Sequence, residues 1–483
     1  MARQFQHRHA LEIARAAIRR VDPVGMITDS VTLDGDELRI ETGEQSLAFD
    51  LSAYDRILVL GAGKAGASMA RGLEQVLGDR ITEGLVAVKY GHTGHDSAAS
   101  GDTTGTGGGV RDPYSPLRRI RLIEAGHPVP DANSLRAARE IAVLADGADE
   151  RTLCIALISG GGSALMTLPA EYQGGISVTL EDIQETTRLL LGAGTPIGEI
   201  NCVRKHLSGI SGGHFCRIAA PATLVALILS DVVGDDLGSI ASGLAAPDST
   251  TFDEALRICE RYRIGDRLPA RARAMLEAGV AGTIPETPKP GDPVFDRVHP
   301  VLIGTNALAL GEARSRAEES GFNTLVLTSR ITGEAREIAR VFTAIAAEIA
   351  KRDSPLEKPA CVLAGGETTV TLRGNGLGGR NQEMALAVLA EIATNPGDYR
   401  GVTFLSVGTD GNDGPTDAAG GWASGEILRT AGDLPHEPSS PSEVIARGLA
   451  ENDAYHALDA LGALLRTGPT NTNVCDIQVL VVE

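Results

Sequence analysis

The 483-residue sequence predicts an α/β fold built from two domains. Three observations carry this. Apolar strand-like runs alternate with helical patterns from residue 55 to about 260, which favours a mainly parallel, doubly wound sheet. Two Gly-rich turns each follow such a run and precede a helical pattern: Gly61-Ala62-Gly63-Lys64-Ala65-Gly66 and Ser159-Gly160-Gly161-Gly162-Ser163. A stretch from Pro269 to Pro300 carrying Pro285, Pro288, Pro290 and Pro293 marks a boundary, and a second, smaller mixed α/β alternation follows it. The domains are therefore expected at 1–285 and 296–483, with a ligand cleft between them.

The elements follow in order. Leu11, Ile13, Ala14, Ala17 and Ile18 recur at helical spacing and predict a surface helix opening the first domain. Residues 37–50 alternate weakly and suggest a hairpin. Strands are expected at 56–60, 84–89, 120–124, 152–158 and 223–230, and helices at 64–77, 133–146, 181–193 and 252–263. Residues 93–116 are rich in Gly, Ser and Thr without apolar period and read as a surface insertion. In the second domain strands are expected near 299–303, 323–328, 360–364, 368–373, 402–407 and 474–482. Helices are expected near 306–320, 333–352, 380–394 and 452–464.

Composition narrows the class of function. Hydrophobic residues make up 42 % and charged residues 22 %, ordinary values for a soluble globular protein. A net charge of −19, with no basic stripe carrying interleaved aromatics, argues against nucleic-acid binding. The six cysteines are scattered without a CxxC pair, as expected of reduced thiols in a cytoplasmic protein. No apolar run approaches the ~18 residues of a membrane span, so no membrane association is expected.

The motifs point to anions. A tight turn between strand and helix aims backbone N–H groups at an anion, usually a phosphate. Gly61, Gly63, Gly160, Gly161, Gly162 and Ser163 are the candidate phosphate- or nucleotide-binding residues, with Glu367 from the Gly365-Gly366-Glu367 turn. Lys64 sits inside the first turn, where a cation is unfavourable for the helix dipole unless it meets an anion. GAGKAG also matches the dinucleotide fingerprint, but that fingerprint needs an acid at the end of the next strand, and here Lys89-Tyr90 stand there. Arg204 and Lys205 in Asn201–His206 are candidates to hold a carboxylate. Asp231 and Asp410 end apolar strands, where carboxylates face a ligand crevice and can hold Mg²⁺ or act as a base. Arg380, fed by Gly376, Gly378 and Gly379, is a second anion clamp, with Asn381 beside it. Asp410, Asn412 and Gly414 imitate part of an EF-hand, but Gly421 occupies the place of its closing glutamate, which excludes a Ca²⁺ loop.

These motifs taken together (GAGKAG, EAGHPVPDANS at 124–134, LISGGGSALM at 157–166, NCVRKHLSGISGG at 201–213, SDVVGDDLGSIASGL at 230–244, AGGETTVTLRGNGLGGRNQEMAL at 364–386 and GTDGNDGPTDAAGG at 408–421) resemble the glycerate 2-kinase family. The C-terminal half of that family is the MOFRL domain. The resemblance spans residues 8 to 483 and implies ATP-dependent phosphorylation of D-glycerate at its 2-hydroxyl, with Mg²⁺. It places the family's catalytic residues on Lys64, Asp231, Arg380 and Asp410. Small-molecule substrates are implied as partners, with a homodimer as the candidate assembly. Two departures stand out. Ser211 and His214 replace a Lys and an Arg common in the family, and the closing motif reads Thr467-Gly468-Pro469-Thr470-Asn471-Thr472-Asn473-Val474-Cys475-Asp476. The rival readings are an NAD(P)H-dependent hydroxypyruvate reductase and a non-enzymatic sensor of phosphorylated metabolites.

Overall fold

The computed structural model describes residues 7–43, 45–93, 116–431 and 440–483, with the backbone alone for Thr430 and Ala431. The 93–116 insertion thus lies, apart from its end residues, outside the described residues. The chain divides into two compact units, Pro23–Ile303 and Met1–Asp22 with Gly304–Glu483.

The core of the Pro23–Ile303 unit is a six-stranded sheet. In spatial order its strands are Val298–Gly304, Thr223–Leu229, Thr152–Ile158, Arg56–Ala62, Glu83–Lys89 and Ile120–Ala125. The pairings among the last five are parallel. Thr152–Ile158 and Thr223–Leu229 are buried along their whole length, which is why they read as unbroken apolar runs. The chain starts at Arg56–Ala62, winds outward through two strands, then returns to the other side of Arg56–Ala62 and winds outward again. The order reverses between Arg56–Ala62 and Thr152–Ile158, where doubly wound sheets place their ligands.

Three expectations change here. The 299–303 run belongs to this sheet as its outermost strand, not to the second unit. Val298 and Leu302 pack on the core formed by Ile228, Ala226 and Phe215, and that burial fixes its side of the boundary. The N-terminal helix Arg8–Arg20 belongs with the C-terminal unit: it lies on the helix Asn306–Glu319 and the strand Asp476–Val482. It buries Ala10, Ile13, Ala14 and Ala17 there, and Thr472 Oγ1 donates to the Val21 carbonyl at 2.6 Å. The 37–50 hairpin is joined by Val31–Asp34 into a three-stranded antiparallel sheet.

The second unit is a mixed six-stranded sheet ordered Asn323–Ile331, Ala360–Gly366, Asp476–Val482, Val402–Gly408, Gly420–Ser424 and Leu464–Leu465. Asp476–Val482 is fully buried and antiparallel to both neighbours, so Asp476 lies opposite Gly366 on one side and Gly408 on the other. Residues 368–373 do not form the expected strand; only Thr369 makes an isolated bridge, to Glu334. The helix expected at 452–464 is instead Pro441–Glu451 followed by Ala454–Ala460, broken at Asn452, which adopts φ 52°. Among the described residues no helix is long and apolar enough to cross a membrane.

Removing residues 1–22 should destabilise the C-terminal unit, because it strips cover from its central strand. Losing the burial of Ile13 and the three alanines amounts to about 3 kcal/mol, or roughly 6–12 °C in melting temperature. Hydrogen exchange of the Asp476–Val482 amides checks it: unchanged protection in the truncated chain would contradict the assignment of this helix.

Candidate active site

Two strand ends build the site in the Pro23–Ile303 unit. Arg56–Ala62 and Thr152–Ile158 run side by side in register, so the turns that follow emerge together. They bond to each other: Ser159 N–H donates to the Ala62 carbonyl at 3.2 Å, Lys64 N–H to the Gly160 carbonyl at 2.9 Å, and Ala65 N–H to Ser159 Oγ at 3.1 Å. A Cβ on Gly61 would overlap the Leu157 backbone, and one on Gly63 would overlap Ser159. Glycine is required in the first turn for this close approach.

The first turn is not the open nest that its sequence suggests. The N–H groups of Gly63, Lys64, Ala65 and Gly66 all have acceptors within the fold. The second turn differs. Gly161 adopts φ 84° and ψ −5°, and the N–H groups of Gly160 and Gly161 have no acceptor among the described residues. Gly160 and Gly161 thus offer two backbone donors at this turn, whereas the amides of the first turn are taken up within the fold. Gly162 packs against Ala241 and the Ala62 carbonyl. Ser163 shares a 2.7 Å hydrogen bond with Ser242.

Charged side chains surround this turn. Asp231 follows the strand Thr223–Leu229, which pairs with Thr152–Ile158, so its carboxylate comes to rest directly against Gly160. Burial pushes the Asp231 carboxyl above the usual carboxylate range, and the Lys64 charge pulls against that rise. The Lys64 side chain runs past Gly161: a Cβ there would stand 3.4 Å from Lys64 Cε. On the same side lies His127, with Cδ2 and Nε2 at 2.9 and 3.0 Å from that point. Burial brings His127 down to about 4, helped by the nearby Lys64, Lys89, His92 and Arg204.

Arg204 and Lys205 are neighbours on the helix Ile197–His206, yet they have opposite surroundings. Burial lowers the Arg204 guanidinium to about 10, and it makes no ion pair or hydrogen bond among the described residues. Lys205 turns inward, with Nζ 3.4 Å from the fully buried Asp248. Its expected role as a substrate contact gives way to that internal pair. Asn201, one turn before Arg204, accepts from Ser242 Oγ at 3.2 Å, so Ser163, Ser242 and Asn201 tie the helix to the glycine turn. Ala241 and Ser242 hold φ 48° and 56°, a conformation that non-glycine residues adopt only when their surroundings impose it.

Beneath the helix, Asp248 also accepts from Thr250 and Thr287. His206 Nδ1 lies 2.7 Å from the Cys202 carbonyl and Nε2 lies 3.3 Å from Glu286. Burial pushes Glu286 up, but hydrogen bonds from His206 and the Phe252 N–H, with Lys289 nearby, outweigh it and bring the carboxyl to about 2. His214, one of the two family departures, is buried at the start of the helix His214–Ala219 and held down to about 4 by that burial. Ser211, the other, is buried and donates its backbone N–H to Ser208 Oγ at 3.0 Å.

The second cluster lies at one end of the C-terminal sheet. Arg380 opens the helix Arg380–Thr394. It is not the free clamp expected from sequence: Nε and Nη2 reach Asp476 at 2.6 and 2.9 Å, and Nη1 reaches Glu367 at 2.8 Å. Burial works against its positive charge, and the Asp476 and Glu367 carboxylates outweigh it and raise the Arg380 pKa. Asn381 is likewise engaged internally, donating to Asp476 and Asp413 and accepting from Ser406 at 2.6 Å. Asp413 caps this helix by accepting the N–H groups of Asn381 and Gln382, and burial lifts it to about 6. Asp410 accepts the Asn412 N–H at 3.0 Å, closing a local turn. Among the described residues no group of three or more His, Cys, Asp or Glu side chains is placed to hold a metal ion. A metal here would need other oxygens, such as those of phosphates, to complete its shell.

Sequence reasoning overlooked His127, Asn201 and Ser242. The signal for His127 was its place just past the strand Ile120–Ala125, at the same sheet end as the glycine turns.

The geometry defines a doubly wound α/β domain with two glycine amides that lack acceptors among the described residues at its switch point, joined in sequence to a mixed α/β unit. The chain matches a domain of unknown function (DUF4147) over residues 9–277 and the MOFRL family over residues 360–476. It is 42 % identical to the D-glycerate 2-kinase of Thermotoga maritima, over 88 % of this chain and 90 % of that one. The crystal structure of a glycerate kinase from Thermotoga maritima superposes with a TM-score of 0.80 at 37 % identity, covering 99 % of each chain. A relative from Agrobacterium vitis, 38 % identical over 88 % of this chain and 87 % of its own, is provisionally named a hydroxypyruvate reductase. The chain belongs to the glycerate 2-kinase family.

Two outcomes test the assignments inside the units. Arg380→Ala leaves the fully buried Asp476 without its guanidinium, and should destabilise the C-terminal unit by about 3–5 kcal/mol; an unshifted melting curve would show that the pair carries no structural weight. The fold favours ionised Glu286, since its folded value lies below the ordinary 4.5. Its contribution is therefore full above pH ~4.5 and fades as the pH falls towards about 2. Glu286→Gln should lower stability at pH 7, and the gap from wild type should narrow in denaturant titrations as the pH drops from 5 to 3.

Proposed function

We propose that this protein transfers the γ-phosphoryl group of ATP to the 2-hydroxyl of D-glycerate, giving 2-phosphoglycerate, in the cytoplasm. The observation that carries the reading is the grouping of Lys64, the free amides of Gly160 and Gly161, Asp231 and the unpartnered Arg204 at the sheet's switch point. Phosphoryl transfer needs little covalent help; it needs placement of the reactants and neutralisation of charge on the moving group. Those amides and Lys64 supply fixed positive ends for phosphate oxygens. Arg204, with a planar guanidinium and no internal partner, suits the glycerate carboxylate.

Asp231 lies against Gly160 and suits the proton of the 2-hydroxyl. Burial makes it a stronger base than an exposed carboxylate, while the neighbouring Lys64 opposes that rise. Mg²⁺ bound with ATP would neutralise phosphate charge, and Asp231, against Gly160, is the carboxylate of this unit proposed to hold it. Arg380 and Asn381 enter this reading as organisers of the C-terminal cluster: Arg380 pairs with Asp476 and Glu367, and Asn381 joins Asp476 to Asp413.

The reductase reading fits less well. The Glu83–Lys89 strand ends without an acid for a ribose hydroxyl, and the GAGKAG amides that would cradle a pyrophosphate already have acceptors.

The decisive assay supplies ATP and D-glycerate and identifies the product. ADP and 2-phosphoglycerate are expected; 3-phosphoglycerate, or NADPH oxidation by hydroxypyruvate without ADP release, would overturn the proposal. Lys64→Ala should lower kcat by about 10²–10³-fold at unchanged melting temperature.

A further inference from the structure

The loop after the strand Ile120–Ala125 is pinned at several points. Asp131 caps the helix Ala132–Asp146, accepting the Ser134 N–H at 2.9 Å and the Tyr90 hydroxyl at 2.7 Å. Asp131 also takes the Gly126 N–H. Gln184 Nε2 donates to the Pro130 carbonyl at 2.6 Å. The chain on both sides of His127 is thereby fixed, and the imidazole is delivered as a rigid group to the face of Gly161. Residues that serve reacting groups are held in this way.

His127 has no structural task that explains this placement. Neither ring nitrogen makes a hydrogen bond among the described residues, and the half-buried imidazole keeps both open to a ligand. Its Nε2 edge faces the glycine whose N–H is also free, beside the Lys64 side chain. The surrounding charged side chains are cations, Lys64, Lys89 and Arg204, with the His92 imidazole beside them. His92 is itself lowered by burial and by Lys89, and bonds to the Lys64 backbone.

We propose that His127 is a catalytic residue that donates an N–H hydrogen bond from its uncharged imidazole to an oxygen of the phosphoryl group in transfer. The inference rests on the kinase reading above and deepens it. Charge in the transition state spreads over three equatorial oxygens, and each gains from a fixed donor. A further cation at this position would be repelled by those already present. A neutral imidazole supplies the donor without that repulsion. Its value of about 4 keeps it uncharged across the neutral range.

Steady-state kinetics of wild type, His127→Ala and His127→Gln, each with a melting curve, test the assignment. His127→Ala should lose about 10²-fold in kcat, with KM for ATP and D-glycerate moving less than about threefold and the melting temperature unchanged. His127→Gln keeps an N–H donor and should recover at least about tenfold of that loss. A kcat for His127→Ala within about threefold of wild type, a loss confined to KM for glycerate, or a loss that follows a fall in melting temperature would each overturn the role. Wild-type protein that releases no ADP with D-glycerate overturns the kinase reading itself; active wild type with an indifferent His127→Ala overturns His127 alone.

Discussion

The close approach of two backbone turns governs the candidate site. Gly61 and Gly63 press against Leu157 and Ser159 with no room for a side chain, and Gly160 is pressed in turn by Asp231. Hydrogen bonds lock the first two turns into one body. As a result Lys64, the Gly160–Gly161 amides and Asp231 share a few ångströms of space, although about 170 residues separate the first from the last in sequence. Parallel pairing makes this possible, because it brings the ends of three strands, and the turns that leave them, to one side of the sheet.

Electrostatics then sorts residues that look alike. Arg204 and Lys205 are adjacent, but successive helical residues point about 100° apart. The charge of Arg204 is felt at His127; Lys205 is buried against Asp248. Paired cations hold a fold together, and unpaired ones are available to a ligand. By the same rule Arg380, bonded to Asp476 and Glu367, organises the end of the C-terminal sheet, where Asp413 offsets the unfavourable cation at a helix start by capping that helix. A protein carrying −19 overall can still concentrate positive charge locally, because burial and backbone N–H groups act over short distances while the net charge is screened.

Much of the fold was legible in the sequence, for identifiable reasons. Runs such as Ile57–Leu60, Leu153–Ile158 and Leu224–Leu229 are buried on both faces and therefore continuously apolar, so they announce themselves as interior strands. The glycine turns and the acids after strands marked the sheet end where ligands gather. Less legible was which atoms a polar residue would meet. Asn381 and Lys205 carry the same donors whether they face a substrate or a buried carboxylate, and only their partners, 95 and 43 residues away, decide.

The sequence by itself determined the class of fold, the strands with fully apolar faces and the residue types able to bind phosphate, because local pattern and backbone freedom are properties of short segments. Tertiary structure alone decided that 299–303 closes the first sheet, that the N-terminal helix covers the second unit, and that His127 joins Lys64 at Gly161. Those outcomes depend on which distant surfaces bury one another, a matter of long-range packing that no local segment encodes.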